Sequence, residues 1–153
     1  MRLLMCMIIT CLTACNRHGE LPRQLYVDPS LKPYVQMFMS EADNQGMSLH
    51  IDNLIVIFVD LNSATIEAQC ESFNNGTVGT PTISVLRSKW DRKSEISKQM
   101  IMFHELGHCV LFRQHNNAYT QYGYVYSIMY YMLQSDTAYV RNWTHYMYEL
   151  FHY

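Results

Sequence analysis

The sequence predicts one α+β domain, in which a small sheet packs with two helices. Three observations support this fold class. Residues 31–44 have apolar side chains at helical spacing, and a longer helical pattern begins at Ser94. Between the two helices lie three short segments, within 54–86, that are apolar or alternate between apolar and polar residues, as strands do. At 153 residues the chain is long enough to bury a core as a single domain.

The composition narrows the possible classes of function. Hydrophobic residues make up 49% of the chain and charged residues 16%, which is typical of a folded globular protein and not of a disordered one. The formal net charge of −2 gives no basic surface for a nucleic acid. We therefore expect no nucleic-acid partner. The protein is also expected to be a monomer.

The N-terminal segment has the pattern of an export signal. Residues 1–14 combine a basic start with an apolar stretch that is shorter than the ~20 residues needed to span a bilayer. The stretch ends at Leu12-Thr13-Ala14-Cys15, which resembles the lipobox of bacterial lipoproteins, where the cysteine carries lipid. The resemblance implies a signal peptide over 1–14, a lipidated tether over 15–22 and a single folded domain over 23–153. An ordinary signal peptide and a buried helix are the alternatives.

This interpretation also sorts the cysteines. Cys6 and Cys11 leave with the signal peptide and Cys15 carries the lipid, so Cys70 and Cys109 remain, in an oxidising compartment. A disulfide between them would join the sheet to the second helix. The alternative is two buried free thiols, because cysteine is often fully buried. The protein is expected outside the cytoplasm, on the periplasmic or cell-surface side of a bacterial membrane.

Turn and cap residues set the limits of the first helix and the strands. Asp28-Pro29-Ser30 predicts a turn with a helix N-cap, and Gln45-Gly46 predicts the end of that helix. The expected strands are a buried one at 54–59, a half-exposed one at 65–73 and a third at 82–86.

The second helix carries the main functional motif. Ser94 is its expected N-cap, and Glu95 supplies an acidic first turn. His104 and His108 lie four residues apart, so a helix presents both imidazoles on one face, with Glu105 on the adjoining flank. This is the H-E-x-x-H pattern, in which two histidines hold zinc and the glutamate can reach a water molecule that the metal activates.

A catalytic zinc needs a third protein ligand. His115 is the nearest candidate, but an unbroken helix would place it ~10 Å further along the axis than His108. The helix must therefore end between the two histidines. Asn116-Asn117 consists of residues that favour a turn. Glu149 and His145 on the last helix are the alternative third ligands.

These residues, taken together, resemble the metzincin clan of zinc endopeptidases. The resemblance rests on His104-Glu105-Leu106-Gly107-His108, on His115, and on Ser127-Ile128-Met129-Tyr130-Tyr131, which is similar to the clan's methionine-containing Met-turn. It departs from the clan pattern at the helix exit. Six residues separate His108 from His115 where the clan has five, and Leu111 stands where the clan has glycine.

The resemblance implies a fold and a set of roles. The fold is a small mixed sheet with two packed helices, including the zinc helix, and a small irregular or helical C-terminal subdomain. One catalytic Zn²⁺ would be held by His104, His108 and His115, with Glu105 as general base. Met129 would lie beneath the metal, and Tyr131 would stand where astacin-like members place a tyrosine that can bind zinc and stabilise the oxyanion. The substrate would be a peptide or protein, paired with an edge strand expected at 79–86.

The C-terminal part is rich in tyrosine and should end in a helix. Most of the 12 tyrosines follow residue 118, and we expect them to pack and rim the C-terminal subdomain. The last helix is expected over 139–151, with four residues against the body: Val140, Trp143, Met147 and Leu150. Two other functions stay open: a non-catalytic zinc lipoprotein that binds a partner, and a gluzincin-like peptidase with Glu149 as third ligand.

Overall fold

The computed structural model of the chain describes residues 23–60, 65–74 and 77–153. The expected signal peptide, Cys15 and the tether lie outside these ranges. Within them, no helix combines the length and apolarity needed to cross a membrane.

The described residues form a small mixed sheet of four strands. The strands are β1 (Leu25–Val27), β2 (Leu54–Val59), β3 (Ala68–Asn74) and β4 (Thr77–Leu86), in the spatial order β1-β2-β4-β3. β2 lies parallel to β1 and β4, whereas β3 runs antiparallel to β4. Helices pack against this sheet, so the predicted α+β class is confirmed.

The strands differ from their predicted limits for local reasons. β1 was not predicted, because its three residues are too few to show alternation. β4 begins five residues before the predicted strand, and Pro81 lies within it. Pro81 is tolerated because the β3–β4 register shifts between Glu71 and Phe73, opposite this part of β4. β3 begins at Ala68, three residues later than predicted.

The expectation that residues 79–86 form an edge strand is wrong. β4 lies between β2 and β3, and both of its edges are hydrogen-bonded. The strand at this edge of the sheet is β3. The sequence pattern did not reveal this, because strand order depends on how distant segments pair.

Two long helices form the helical layer. They are α1 (Lys32–Asn44) and α3 (Glu95–Cys109), and a short α2 (Arg87–Trp90) lies between β4 and α3. The predicted Ser94 N-cap is confirmed, since its hydroxyl accepts a hydrogen bond from the Ser97 N–H. The predicted N-cap within Asp28-Pro29-Ser30 is wrong. α1 is capped by Leu31 without a side-chain bond, and the Asp28 carbonyl accepts the first backbone N–H groups instead.

The core is aromatic where the helices meet. The Phe38 ring of α1 packs against Phe103 of α3 at 5.2 Å between centroids and against Phe151 of the last helix at 5.1 Å. Phe103 precedes the first histidine of the motif, so this contact fixes the height and rotation of α3. The H-E-x-x-H residues of α3 are thus held in position by this aromatic core.

The C-terminal region forms two helices where one was predicted. α4 (Asp136–Arg141) and α5 (Trp143–His152) are separated at Asn142. The expected packing of Val140 is wrong: the break turns its side chain outward, and it is 58% exposed. Met147 and Leu150 are buried, and Trp143 packs against the core, as expected.

A disulfide joins the sheet to α3. Cys70 of β3 and Cys109, the last residue of α3, are bonded, with their Cα atoms 5.7 Å apart. Of the two alternatives for these cysteines, the structure has the disulfide. Such a link typically stabilises a fold by about 2–4 kcal/mol. It also holds the edge strand beside the end of the helix that bears the H-E-x-x-H motif.

Candidate metal centre

Three imidazoles converge on one point. The Nε2 atom of His104 lies 3.1 Å from that of His108 and 3.3 Å from that of His115. Ligands ~2.0–2.1 Å from a tetrahedral metal lie about 3.3 Å from one another, which is close to these separations. Among the described residues, this is the cluster of His, Cys, Asp or Glu that could hold a metal ion.

Backbone carbonyls orient two of the rings. Nδ1 of His104 lies 2.9 Å from the Ile128 carbonyl oxygen, and Nδ1 of His108 lies 2.6 Å from that of Arg113. A carbonyl can only accept, so both Nδ1 atoms carry the hydrogen and both Nε2 atoms are left with a lone pair. Two lone pairs 3.1 Å apart repel each other, and a cation between them removes that repulsion.

Burial keeps the helix histidines in the form that binds metal. Burial lowers the pKa of His104 to about 4, although its hydrogen bond to the Ile128 carbonyl acts in the opposite direction. Burial also lowers the pKa of His108. Both imidazoles are therefore neutral near pH 7, and a neutral imidazole is the metal ligand.

The helix exit brings His115 into the cluster without a glycine. After Cys109, the Leu111 N–H still bonds to the Leu106 carbonyl. Phe112 then takes φ +55°, and the Arg113 N–H returns to the carbonyl of Gly107. Phe112 is thus the left-handed residue that reverses the chain. It lies one position after Leu111, the position at which the metzincin pattern has a glycine. The extra residue between His108 and His115 is accommodated by this turn.

Met129 lies directly beneath the histidine-bearing turn of α3. Its side chain is fully buried, and a Cβ added to Gly107 would lie 2.6 Å from its sulfur and 3.2 Å from a Leu150 methyl. Only glycine allows this approach. Sequence reasoning missed Gly107 as a functional position, although a glycine inside a helical pattern is a signal of close packing.

Glu105 faces the same cleft from the helix flank. It is 8% exposed, and its carboxylate accepts a hydrogen bond from the backbone N–H of Cys70 in β3. Burial raises the pKa of Glu105 to about 7, and the bond from Cys70 limits that rise. The site therefore combines neutral imidazoles with a carboxyl group whose pKa lies near neutrality.

The cleft itself is open and has a strand along one side. Its volume is about 690 Å³, and the three histidines and Glu105 line it together with residues 65–70 and 130–133. Tyr131 is one of these lining residues, 55% exposed, with its ring 4.7 Å from that of Tyr130. The Tyr130 hydroxyl is hydrogen-bonded to that of Tyr119, a pairing that the sequence did not suggest.

The two alternative third ligands lie elsewhere. The His145 imidazole bonds through Nε2 to the Tyr126 carbonyl. Glu149 is 1% exposed, and its carboxylate accepts hydrogen bonds from Arg113, Asn116 and Ser127. The structure brings His115, and neither of these two, to the helix histidines.

Comparison with protein-family models, with curated proteins and with solved structures finds no match for this chain.

The turn at Phe112 can be tested by two substitutions of opposite effect. Phe112→Gly should keep or slightly raise stability, because glycine adopts positive φ without strain and the Phe112 ring is 69% exposed. Phe112→Pro fixes φ near −65°, so it should displace His115 and weaken metal binding by at least about tenfold. Urea unfolding measures the stability of the glycine variant, and calorimetric titration with Zn²⁺ measures the metal affinity of the proline variant. Equal affinity in the proline variant would show that this turn does not place His115.

The contact between Gly107 and Met129 predicts that Gly107→Ala destabilises the protein, which is the opposite of the usual effect of this substitution in a helix. In a free helix Gly→Ala stabilises by about 1 kcal/mol, whereas Gly107→Ala should destabilise by roughly 1–3 kcal/mol, because the new methyl collides with a fully buried sulfur. When Met129 is already replaced by alanine, Gly107→Ala should cost less, because the sulfur with which its methyl collides is gone. Urea unfolding of the two single variants and the double variant gives the coupling energy. A stabilising Gly107→Ala would contradict the packing.

Proposed function

We propose that this protein is a zinc-dependent endopeptidase of metzincin-like type. The observation that carries the proposal is the convergence of three imidazole Nε2 atoms in an open cleft that Glu105 also lines. The order of the motifs along the chain, with Met129 packed beneath Gly107, agrees with that clan.

The donor set suits zinc and leaves room for chemistry. Neutral imidazoles are good ligands for zinc, and a closed structural site would need a fourth protein ligand. In the described ranges the cluster contains three residues, and the nearby Cys70 and Cys109 are engaged in their disulfide. Zinc, when bound, supplies a Lewis acid that polarises a carbonyl and makes water more acidic. This arrangement favours an enzyme over the alternative of a zinc-containing binding module.

Glu105 is the proposed general base. Its carboxylate lies in the wall of the cleft, beside the histidines, and the Cys70 N–H holds one of its oxygens in place. As water attacks the scissile carbonyl, Glu105 takes the proton and then delivers it to the leaving amine. Both transfers use the same carboxylate, which accepts the proton of the attacking water and, once protonated, gives it to the leaving amine.

The edge strand β3 is the proposed substrate-binding element. It borders the cleft, and its outer edge has no strand neighbour in the described sheet. An extended peptide can add to such an edge by main-chain hydrogen bonds, which would carry its scissile bond across the histidines. Tyr131, which also lines the cleft, is the proposed donor to the developing oxyanion.

The proposed location follows from the N-terminal pattern. Lipid at Cys15 would anchor the domain at the outer face of a bacterial membrane, where its substrates are exported or cell-surface proteins. The tether over 15–22 would give the cleft access to them.

The central role of Glu105 predicts a separation of binding from turnover. Glu105→Gln should bind one zinc per chain as the unmodified protein does, while peptide cleavage falls by about 10²–10⁴-fold, because the base is lost and the ligands are kept. His115→Ala should instead lose zinc affinity. A peptide library digested with the zinc-loaded protein and read by mass spectrometry reports cleavage, and metal analysis reports binding.

A matched control is Asp43→Asn, which removes an exposed carboxylate on α1 that is not among the residues lining the cleft. It should cleave as the unmodified protein does. Undiminished cleavage by Glu105→Gln would remove Glu105 from the reaction, and unchanged zinc affinity in His115→Ala would remove His115 from the ligand set.

A further inference from the structure

Glu149 is a buried carboxylate on α5 for which the proposed reaction has no direct use. It is 1% exposed, and the Ser127 hydroxyl donates to its Oε2 at 2.6 Å. Its Oε1 accepts from the Arg113 guanidinium at 2.9 Å and from the Asn116 amide at 3.3 Å. Burying a charge is costly unless it is paired and fully hydrogen-bonded, and all three donors come from segments next to the metal centre.

Each donor lies in or next to a backbone segment that positions a different histidine. Ser127 precedes Ile128, whose carbonyl orients His104. Arg113 supplies the carbonyl that orients His108. Asn116 directly follows His115. The Glu149 carboxylate therefore acts indirectly on all three imidazoles, because it is hydrogen-bonded to the segments that position them.

The Ser127 hydroxyl extends the same network to Met129. It accepts the buried backbone N–H of Met129 at 2.9 Å while it donates to Glu149. The Asn116 N–H in turn donates to the Met129 carbonyl. The segment that bears His115 and the turn that bears Met129 are thus joined to each other and to α5.

We propose that Glu149 is a positioning residue for the metal centre, which sets the geometry of His104, His108 and His115 through Ser127, Arg113 and Asn116. The inference rests on the proposed metal-binding function. It assigns to α5 a role beyond closing the core, because the Glu149 carboxylate on α5 is hydrogen-bonded both to the segment with Arg113 and Asn116 and to Ser127. Removing its charge should loosen the cluster without touching any ligand.

Cobalt is a suitable probe, because Co²⁺ takes the place of zinc at such sites and its visible absorption depends on coordination geometry. Glu149→Gln keeps the shape of the side chain but removes the charge that pairs with Arg113. We expect this variant to bind Co²⁺ about 10- to 100-fold more weakly, the range typical when a partner behind a metal ligand is removed. Its absorption bands should also shift. The Nδ1 protons of His104 and His108 should exchange faster with solvent in its proton NMR spectrum.

Val56→Ala is the stability control. Val56 is fully buried in β2, so the substitution weakens the core without altering the network around Glu149. It should lower the free energy of unfolding while Co²⁺ affinity and absorption stay unchanged. Ser127→Ala and Asn116→Ala, which each remove one donor, should give smaller shifts of the same kind as Glu149→Gln and provide the test if that variant does not fold.

The outcomes separate the two claims. If the unmodified full-length chain fails to bind Co²⁺ and Zn²⁺, the proposed function is wrong and this inference falls with it. If the unmodified chain binds, but Glu149→Gln has the same affinity, absorption and proton exchange, the metal centre stands and the positioning role is overturned. The same holds if Glu149→Gln does not fold and both donor variants bind as the unmodified chain does.

Discussion

The arrangement of the site depends on two hydrogen bonds that run from imidazole to main chain. Each helix histidine gives its Nδ1 hydrogen to a carbonyl that follows α3 in the sequence, at Ile128 and at Arg113. The bonds fix the tautomer and aim both Nε2 lone pairs at the same point. A helix alone would place the two rings on one face, but it would not set their rotation.

The segments that supply these carbonyls must themselves be held. The turn with Met129 is fixed by its close approach to Gly107, and the segment with His115 is fixed by the left-handed residue Phe112. Both are joined to the buried carboxylate of Glu149. The order of elements thus explains the site: α3 presents His104 and His108, and the segments around Arg113 and Ile128, C-terminal to α3, orient these two rings and bring His115 to them.

The sequence predicted the parts of this site that depend on local spacing. His104, Glu105 and His108 could be placed because helical periodicity fixes which side chains share a face. The cap at Ser94 and the α+β class follow from equally local patterns. His115 was predicted as a ligand because it is the nearest histidine and because of the metzincin resemblance. Its approach to the cluster depends on the backbone conformation of Phe112, which residue preferences do not predict. Phenylalanine rarely takes positive φ.

What the sequence did not predict depends on contacts between distant segments. The edge strand is β3 and not β4, because a short parallel β1 and β2 complete the other side of β4. Val140 is exposed because the last helix breaks at Asn142. Glu149 was proposed as an alternative ligand on its residue type, whereas its three donors bind it away from the cluster. Residue type limits what a side chain can do, and tertiary packing selects among those possibilities.

The central claim is that three imidazoles hold one zinc ion and leave a position open. Zinc K-edge X-ray absorption of the purified full-length chain tests it most directly. The account predicts one zinc per chain, with four nitrogen or oxygen neighbours at ~2.0–2.1 Å and the outer-shell scattering of three imidazoles. A sulfur neighbour at ~2.3 Å, a fourth imidazole, or a chain that binds no zinc would contradict it.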